Sequence, residues 1–191
     1  MDPLHASDYA AIELLRDGRK VEIRPLRPQD RAALVAAVRR ASSESLYRRF
    51  FAVRREFSQQ EIDFFVNVDF IRHVALVAVA EEAGRPVIIG GARYVLVEPG
   101  KAEVAFAVID AYQGHGIGSA LMRHLTKIAR AAGLNELIAE VLPDNRAMLK
   151  VFEKSGLRLA IRREPQVTPA FYRVDAARQR RSSGGGSGIR Q

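Results

Sequence analysis

The sequence predicts a mixed α/β fold with an antiparallel front half and a parallel β-α-β unit in its second half. Three strand-like runs, beginning at 73, 86 and 101, are separated by Gly84 and Gly100, which is the pattern of an antiparallel meander. A glycine-rich turn at 113–118 follows the third run and opens an amphipathic helix, and an apolar run follows that helix. The complete predicted order of elements is ββααβββαβαββ.

The first half of the chain begins with a predicted hairpin over 12–24, because the turn dipeptide Asp17-Gly18 separates two runs that contain apolar residues. The segment "RPQDRAALVAAVRRAS" follows, and its early proline and helically spaced apolar residues predict a helix. A further helical region is predicted before the meander, where Ser58 and Glu61 have the spacing of a capping box.

In the second half, the helix after the glycine turn is predicted to run to about Ala132, with Gly133 as its C-terminal cap. The run "LNELIAEVL" predicts a buried strand. Asp144 is predicted to cap a short helix that Gly156 ends. The runs "GLRLAIRR" and "TPAFYRVD" predict the last two strands.

Length and composition favour one domain over residues 1–176, followed by a flexible tail at 177–191. The chain contains no cysteine, which excludes disulfides, thiolate nucleophiles and zinc bound by cysteine. The four histidines lack metal-ligand spacing, so no metal is expected. The chain shows no basic-then-apolar leader, and no apolar run approaches the ~20 residues of a membrane span. We therefore expect a cytoplasmic protein with no membrane partner.

The formal net charge of +8 arises mostly near the C-terminus. Residues 158–191 contain eight arginines and only two acidic residues. Their last part, "RRSSGGGSGIRQ", is a low-complexity segment, for which we expect disorder or a weak partner-docking role. A nucleic-acid groove requires basic residues organised across the folded domain, so nucleic acid is not the expected partner.

The turn "QGHGIG" has the features of an anion site, because glycines allow close backbone approach and a helix N-terminus favours negative charge. Two other phosphate motifs do not fit. A P-loop requires a lysine after its last glycine, and here Gly118 precedes Ser119. A dinucleotide fingerprint fits Gly114 and Gly116, but its third position falls on Ser119, and its turn normally follows the first strand of the sheet.

The pattern Gln113-x-x-Gly116-x-Gly118 lies after the strand ending "FAVID" and before a helix. It resembles the acyl-CoA pyrophosphate loop of the GNAT N-acetyltransferase superfamily. Within that superfamily the chain is most similar to the catalytic domain of bacterial Pat-type protein lysine acetyltransferases. The similarity covers roughly 21–174 and rests on four stretches in this order: "VEIRPLRPQDRAAL", "SSESLYRRFF", "AEVAFAVIDAYQGHGIGSALM" and "AEVLPDNRAMLKVFEKSGL".

This resemblance implies a central mixed, mostly antiparallel sheet of about seven strands, flanked by helices, with a parallel splay between the fourth and fifth strands. It implies acetyl-CoA as the cosubstrate and no metal. It also implies that an asparagine of the closing helix contacts the pantetheine arm and that a backbone N–H near Val108 stabilises the oxyanion. The implied acyl-CoA-binding residues are Phe106, Val108, Gln113, Gly114, His115, Gly116, Ile117, Gly118, Ser119 and Asn145.

The implied reaction is direct transfer of the acetyl group to a lysine side chain of a protein, such as an acyl-CoA synthetase. A lysine amine with a pKa near ~10.4 is only about 0.04% neutral at pH 7, so a general base is needed. By resemblance Glu103, in "KAEVAFAV", takes that position. Many family members place a tyrosine in the closing helix as general acid, whereas this chain has Phe152 there. Solvent, Tyr112 or Tyr172 would then protonate the thiolate.

The sequence offers further candidate site residues and other possible functions. Glu140 could orient the amine, and three residues of the helix after the glycine turn could reach the CoA phosphates: Arg123, His124 and Lys127. Three alternatives stay open: the same chemistry on a small amine, a non-catalytic acyl-CoA-binding regulatory domain, and a nucleic-acid binder that uses the basic tail. Pat-type proteins often carry a regulatory domain for which this chain has no room, so regulation is expected from a partner or a small molecule. The sequence indicates no oligomeric state.

Overall fold

A computed structural model describes residues 5–52, 56–164 and 171–177 of the chain. They contain eight strands: β1 (Ala11–Leu14), β2 (Lys20–Pro25), β3 (His73–Glu82), β4 (Arg85–Glu98), β5 (Lys101–Val108), β6 (Glu136–Val141), β7 (Arg158–Glu164) and β8 (Phe171–Ala177). They also contain five α-helices: α1 (Arg31–Arg40), α2 (Ser43–Phe50), α3 (Gln59–Val66), α4 (Ile117–Ala131) and α5 (Arg146–Glu153).

All eight strands belong to one sheet, in the order β1-β2-β3-β4-β5-β6-β8-β7. Every neighbouring pair is antiparallel except β5 and β6, which run parallel because α4 carries the chain back between them. The predicted mixed α/β class and the parallel unit at the glycine turn are thereby confirmed. The resemblance implied about seven strands, and the sheet has one more. Counted from β2, the parallel pair is the fourth and fifth strand, so the short edge strand β1 accounts for the difference.

Local sequence signals explain most of the helix ends. The side chain of Ser58 accepts the backbone N–H of Glu61, and the side chain of Glu61 accepts the backbone N–H of Ser58, as the capping box predicted. Gly133, with a φ of 79°, follows the end of α4. The helical region predicted before the meander is two helices, because Phe51 takes a left-handed conformation with a φ of 54° and ends α2.

Helices cover both faces of the sheet. Arg93 of β4 pairs with Ala105, the neighbour of Phe106 in β5, so Arg93 and Phe106 lie on opposite faces. The guanidinium of Arg93 lies 4.7 Å from the ring centroid of Phe65 in α3. The ring of Phe106 contacts that of Phe152 in α5, with 6.2 Å between their centroids. Helix α3 therefore packs over one face and α5 over the other.

The parallel pairing of β5 with β6 is short. Residues 101–103 pair with residues 136–138, and the ladder ends there. Strand β5 nevertheless continues to Val108, where it still pairs with β4. The two parallel strands therefore separate over the second half of β5, at the position of the implied splay.

Strand β4 carries a bulge at the same level. The register between β3 and β4 shifts between Ala78 and Val79, which leaves Ile89 as the inserted residue. The next residue, Gly90, lies against β5, and a Cβ atom there would lie 3.0 Å from the backbone oxygen of Ala107. The two strands thus approach each other at a point that has no room for a side chain on β4.

The N-terminal segment and the hairpin of β1 and β2 bind α4 through polar side chains, of which Tyr9 and His124 are buried. The hydroxyl of Tyr9 forms a hydrogen bond with Nδ1 of His124, and Nε2 of His124 donates to the carboxylate of Glu13 at 2.6 Å. Arg123 forms an ion pair with the same carboxylate at 2.7 Å. These contacts hold the helix that follows the glycine turn in a fixed position on the sheet.

Within the described residues, we find no helix long and apolar enough to cross a membrane and no group of three or more metal-binding side chains. Residues 178–191 lie outside the described residues. The division into a domain and a basic tail therefore stays a prediction.

We expect Gly90→Ala to lower the free energy of unfolding by about 1–3 kcal/mol, the usual effect of overpacking. The reason is that the added methyl group presses on the backbone oxygen of Ala107. Gly118→Ala is the matched control. Its Cβ would lie 3.4 Å from the side chain of Val151, and alanine favours the helix, so stability stays equal or rises by up to about 1 kcal/mol. Urea unfolding compares the two, and equal stabilities would contradict the close approach of β4 to β5.

Candidate active site

A cleft of about 690 Å³ occupies the space where β5 and β6 separate. Its wall includes Glu103 and Arg93 from one face of the sheet and Phe152 and Ser119 from the other side. Because side chains from both faces line the same cleft, it passes between the two strands. The cleft therefore connects the glycine turn at 113–118 with Glu103.

The backbone of β5 directs hydrogen-bond donors into this cleft. The N–H of Ile109 donates to the oxygen of Ile89 at 3.0 Å. In an antiparallel ladder such pairs alternate with pairs that exchange no hydrogen bonds. Val108, opposite Gly90, and Phe106, two residues earlier, therefore turn their N–H groups away from β4. Since β6 no longer pairs with β5 at this level, both N–H groups face the cleft.

The glycine turn has the shape of an anion site at the N-terminus of α4. Gly114 and Gly116 have φ angles of 78° and 95°, which glycine adopts without the strain of a Cβ atom. A Cβ atom at either position would meet nothing within 4 Å, so the turn is open. No side chain caps α4 and its first turn has no acidic residue. Its first N–H groups and the positive end of its dipole are therefore available to a ligand.

Gln113 holds the glycine turn against the end of β5. Its Nε2 donates to the backbone oxygen of Val108 at 3.0 Å and to Oγ of Ser45 at 2.9 Å. The glutamine of the motif thus fixes the shape of the turn, and through Ser45 it links the turn to α2.

Asp110 makes a second link between the turn and α2. Its carboxylate accepts hydrogen bonds from the N–H and the hydroxyl of Ser42, both at 2.7 Å, and from the hydroxyl of Ser45 at 3.0 Å. Burial alone would raise the pKa of Asp110, but these hydrogen bonds outweigh it and lower that pKa. The sequence analysis missed this cluster. The sequence feature that could have indicated it is Ser42, a residue type that commonly caps helices and that is the N-cap of α2.

Helix α5 forms another wall of the cleft. Asn145 caps this helix, since its Oδ1 accepts the N–H of Met148 at 3.1 Å. The predicted cap, Asp144, is wrong by one residue because α5 begins one residue later than the sequence pattern indicates. With Oδ1 engaged, Nδ2 is the group that Asn145 can donate to a ligand. Phe152 is fully buried against Phe106, and no tyrosine of the described part of the chain lines the cleft.

Glu103 lies where the parallel ladder ends, exposed and lining the cleft. It forms no ion pair with any described residue. Arg49 of α2 is near it: burial lowers the pKa of Arg49 to about 10, and the negative charge of Glu103 acts in the opposite direction. Glu140 of β6 also lines the cleft. The carboxylate of Glu103 is thus accessible to a molecule in the cleft.

Two of the residues expected to bind acyl-CoA do not line the cleft with their side chains. Ile117 is buried in the core. The imidazole of His115 faces the hairpin turn, where its Nε2 lies 3.5 Å from Asp17. Both residues can meet a ligand in the turn only through their backbone. The side chain of Ser119, in contrast, lines the cleft in the first turn of α4.

Four side chains considered for the phosphates or for the general acid lie outside the cleft: Arg123, His124, Lys127 and Tyr112. Arg123 and His124 bind Glu13 of the N-terminal hairpin. Tyr112 is buried, and the side chain of Tyr172 lies outside the described part of the chain. The sequence pattern could not exclude these residues, because their partners come from distant segments.

The comparisons with known proteins agree with this geometry. Residues 33–157 match the model of the Acetyltransferase (GNAT) family. An acetyltransferase of Pseudomonas aeruginosa is 36% identical over 138 residues, which are 72% of this chain and 74% of that protein. The acetyltransferase Pat of Mycolicibacterium smegmatis is 38% identical over 144 residues, which are 74% of this chain. The chain spans only 42% of the length of that Pat.

A solved structure extends the similarity to the whole fold. The crystal structure of the GNAT domain of S. lividans PAT matches with a TM-score of 0.77 and 33% identity, over 92% of this chain and 99% of that domain. Sequence and structure therefore agree on the family, and the chain belongs to the GNAT acetyltransferases, where it is homologous to the GNAT domains of Pat proteins.

Proposed function

We propose that this protein transfers the acetyl group of acetyl-CoA to a lysine side chain of another protein, with Glu103 as the general base. The observation that carries the proposal is the cleft, which connects an anion-binding turn at 113–118 with an exposed carboxylate. Membership of the GNAT acetyltransferases supplies the reaction class.

The described residues fit acetyl-CoA as the substrate that brings the acetyl group. The turn at 113–118 offers backbone N–H groups and a helix dipole to a pyrophosphate. The N–H groups of Phe106 and Val108 offer an amide-containing arm the hydrogen bonds that a neighbouring strand would otherwise accept. Nδ2 of Asn145 adds a donor from α5. When bound, acetyl-CoA supplies the activated thioester.

Glu103 would accept the proton of the acceptor amine, directly or through a water. Deprotonating a lysine amine with a pKa near ~10.4 requires roughly 4.6 kcal/mol at pH 7, so the reaction gains from a base at this point. The N–H groups on β5 near Val108 would stabilise the negative charge that develops on the thioester oxygen.

Similarity to Pat favours a protein acceptor over a small amine, which is the second candidate. Because the chain spans less than half of one Pat relative, the substrate, the partners and the regulation of the whole protein belong to this proposal. So does its cytoplasmic location.

Acetyl-CoA should stabilise the protein against heat, since a ligand at ~100 times its dissociation constant adds about 2.7 kcal/mol to the free energy of unfolding. Ser119→Glu places a carboxylate in the first turn of α4, where it competes with the phosphates, so the affinity should fall by about tenfold or more. Thermal unfolding with acetyl-CoA, NAD and ATP in parallel measures the effect.

Gln60→Glu is the control, because it adds the same charge to the exposed first turn of α3, outside the cleft. Its shift with acetyl-CoA should equal that of the unmodified protein. A shift with NAD or ATP in place of acetyl-CoA would contradict the assignment of the turn.

Glu103→Gln should lower kcat by about 10²–10⁴-fold at pH 7, the usual effect of removing a general base. The remaining rate should rise with pH, because a larger fraction of the lysine amine is then deprotonated in solution without a general base. Acetyl-CoA should still stabilise the variant. Steady-state kinetics across pH measures both effects.

Glu98→Gln provides the comparison, since Glu98 is exposed at the end of β4 and does not line the cleft. Its kinetics should match those of the unmodified protein. An unchanged rate in Glu103→Gln would remove Glu103 from the role of base while leaving the acetyltransferase reaction in place.

A further inference from the structure

Two arginines line the Glu103 side of the cleft without a carboxylate partner. Arg49 of α2 and Arg93 of β4 both contribute to its wall. Neither forms an ion pair with any residue that the structure describes. Arg24 of β2 shows the contrast, because its two Nη atoms bind the carboxylate of Asp30 at 2.7 and 2.8 Å. The charges of Arg49 and Arg93 are therefore left for something that enters the cleft.

Aromatic rings fix the position of both guanidinium groups. Arg49 lies 4.7 Å from the ring centroid of Phe50, and Arg93 lies 4.7 Å from that of Phe65. The two rings are themselves neighbours, with centroids 6.0 Å apart. A guanidinium held over a ring keeps its charge, and its N–H groups that have no other partner can bind a carboxylate.

The polar contact of Arg93 orients it without neutralising it. The Nη1 of Arg93 donates to Nε2 of His73 at 3.1 Å. Burial lowers the pKa of His73 to about 4, and the charge of Arg93 acts in the same direction, so this imidazole is neutral at pH 7. Arg93 thus keeps its full positive charge.

The positive charges of Arg49 and Arg93 are energetically unfavourable in this site when no ligand is bound. Burial lowers the pKa of Arg93 to about 9, and the nearby charge of Arg49 adds to the effect. Glu103 and Glu140 also line this cleft, but Arg49 and Arg93 form an ion pair with neither of these described residues. Buried charges are stabilised by pairing, and a ligand that carries a negative charge beside its amine would supply that pairing.

We propose that Arg49 and Arg93 bind a carboxylate of the acceptor, and that the preferred acceptor is a lysine with a glutamate or aspartate within two residues of it. This inference rests on the proposed function, since it specifies the acceptor of the same reaction. Arg93 and Glu103 are diagonal neighbours on β4 and β5, a spacing of about 7–8 Å. Two residues of extended peptide span about 7 Å, so amine and carboxylate can reach Glu103 and the arginines together.

The test compares lysine peptides that differ only by Glu or Gln beside the acceptor lysine. The unmodified protein should prefer the Glu peptide by about 10- to 100-fold in kcat/KM, the range expected of charged hydrogen bonds. Arg93→Gln and Arg49→Gln should each reduce that preference to a few fold. Arg31→Gln is the matched control, because Arg31 pairs with Asp63 outside the cleft, and it should keep the full preference.

A second measurement separates this inference from the function on which it rests. Binding of the corresponding acetyl-lysine peptides needs no chemistry, and the Glu peptide should bind more tightly in the same proportion. Equal rates and equal binding for the Glu and Gln peptides would overturn the arginine site while leaving the acetyltransferase in place. Selective binding without acetylation of any peptide would keep the arginine site and reject a lysine acceptor.

Two further outcomes complete the test. In the first, the protein instead acetylates free amino acids and loses that activity in Arg93→Gln. That result would support the carboxylate site, and it would show that the acceptor is an amino acid and not a protein. If Arg93→Gln does not fold, the preference for the Glu peptide over the Gln peptide is compared between Arg93→Lys and the unmodified protein. A lysine supplies a point charge in place of the planar fork, so the preference should fall without disappearing.

Discussion

The early end of the parallel ladder between β5 and β6 is the constraint on which the site depends. Only three residue pairs join the two strands. Beyond them the N–H groups of Phe106 and Val108 point toward a neighbour that has moved away, and unsatisfied backbone donors are costly in a protein interior. The bulge at Ile89 and the close packing of Gly90 belong to the same arrangement, because they lie where β5 stays paired with β4 after it separates from β6. The fold thus creates a slot with the hydrogen-bonding pattern of a missing strand.

Polar contacts from the first half of the chain hold the glycine-turn end of this slot in place. Asp110 and Gln113 follow β5 directly, and they bind Ser42 and Ser45 at the start of α2. Helix α2 also carries Arg49, so the same helix contacts the glycine turn at one end and faces Glu103 near the other. A displacement of α2 would therefore disturb both ends together, which couples the shape of the turn to the charges beside the carboxylate.

The sequence predicted the parts of this arrangement that are encoded locally. Ser58 and Gly133 mark helix ends through contacts within a few residues, and the turn at 113–118 is one contiguous motif. Arg49 and Arg93 could not be predicted in the same way. They are distant in sequence and come together only through the register of β4 with β5 and the packing of α2 and α3 on that face. That neither arginine forms an ion pair with a described residue is a property of the folded surroundings, which no spacing in the sequence records.

The position of Phe152 shows which proton transfer the proposed reaction most needs to assist. Phe152 has no proton to give, and no tyrosine among the described residues lines the cleft. A thiol has a pKa near ~8.5, so at pH 7 water protonates a departing thiolate with a gain of about 2 kcal/mol. The amine presents the opposite case, because freeing it of its proton at pH 7 requires roughly 4.6 kcal/mol. A site with an accessible carboxylate and no phenol therefore assists the deprotonation of the amine, which costs free energy. It leaves the protonation of the thiolate, which releases free energy, to the solvent.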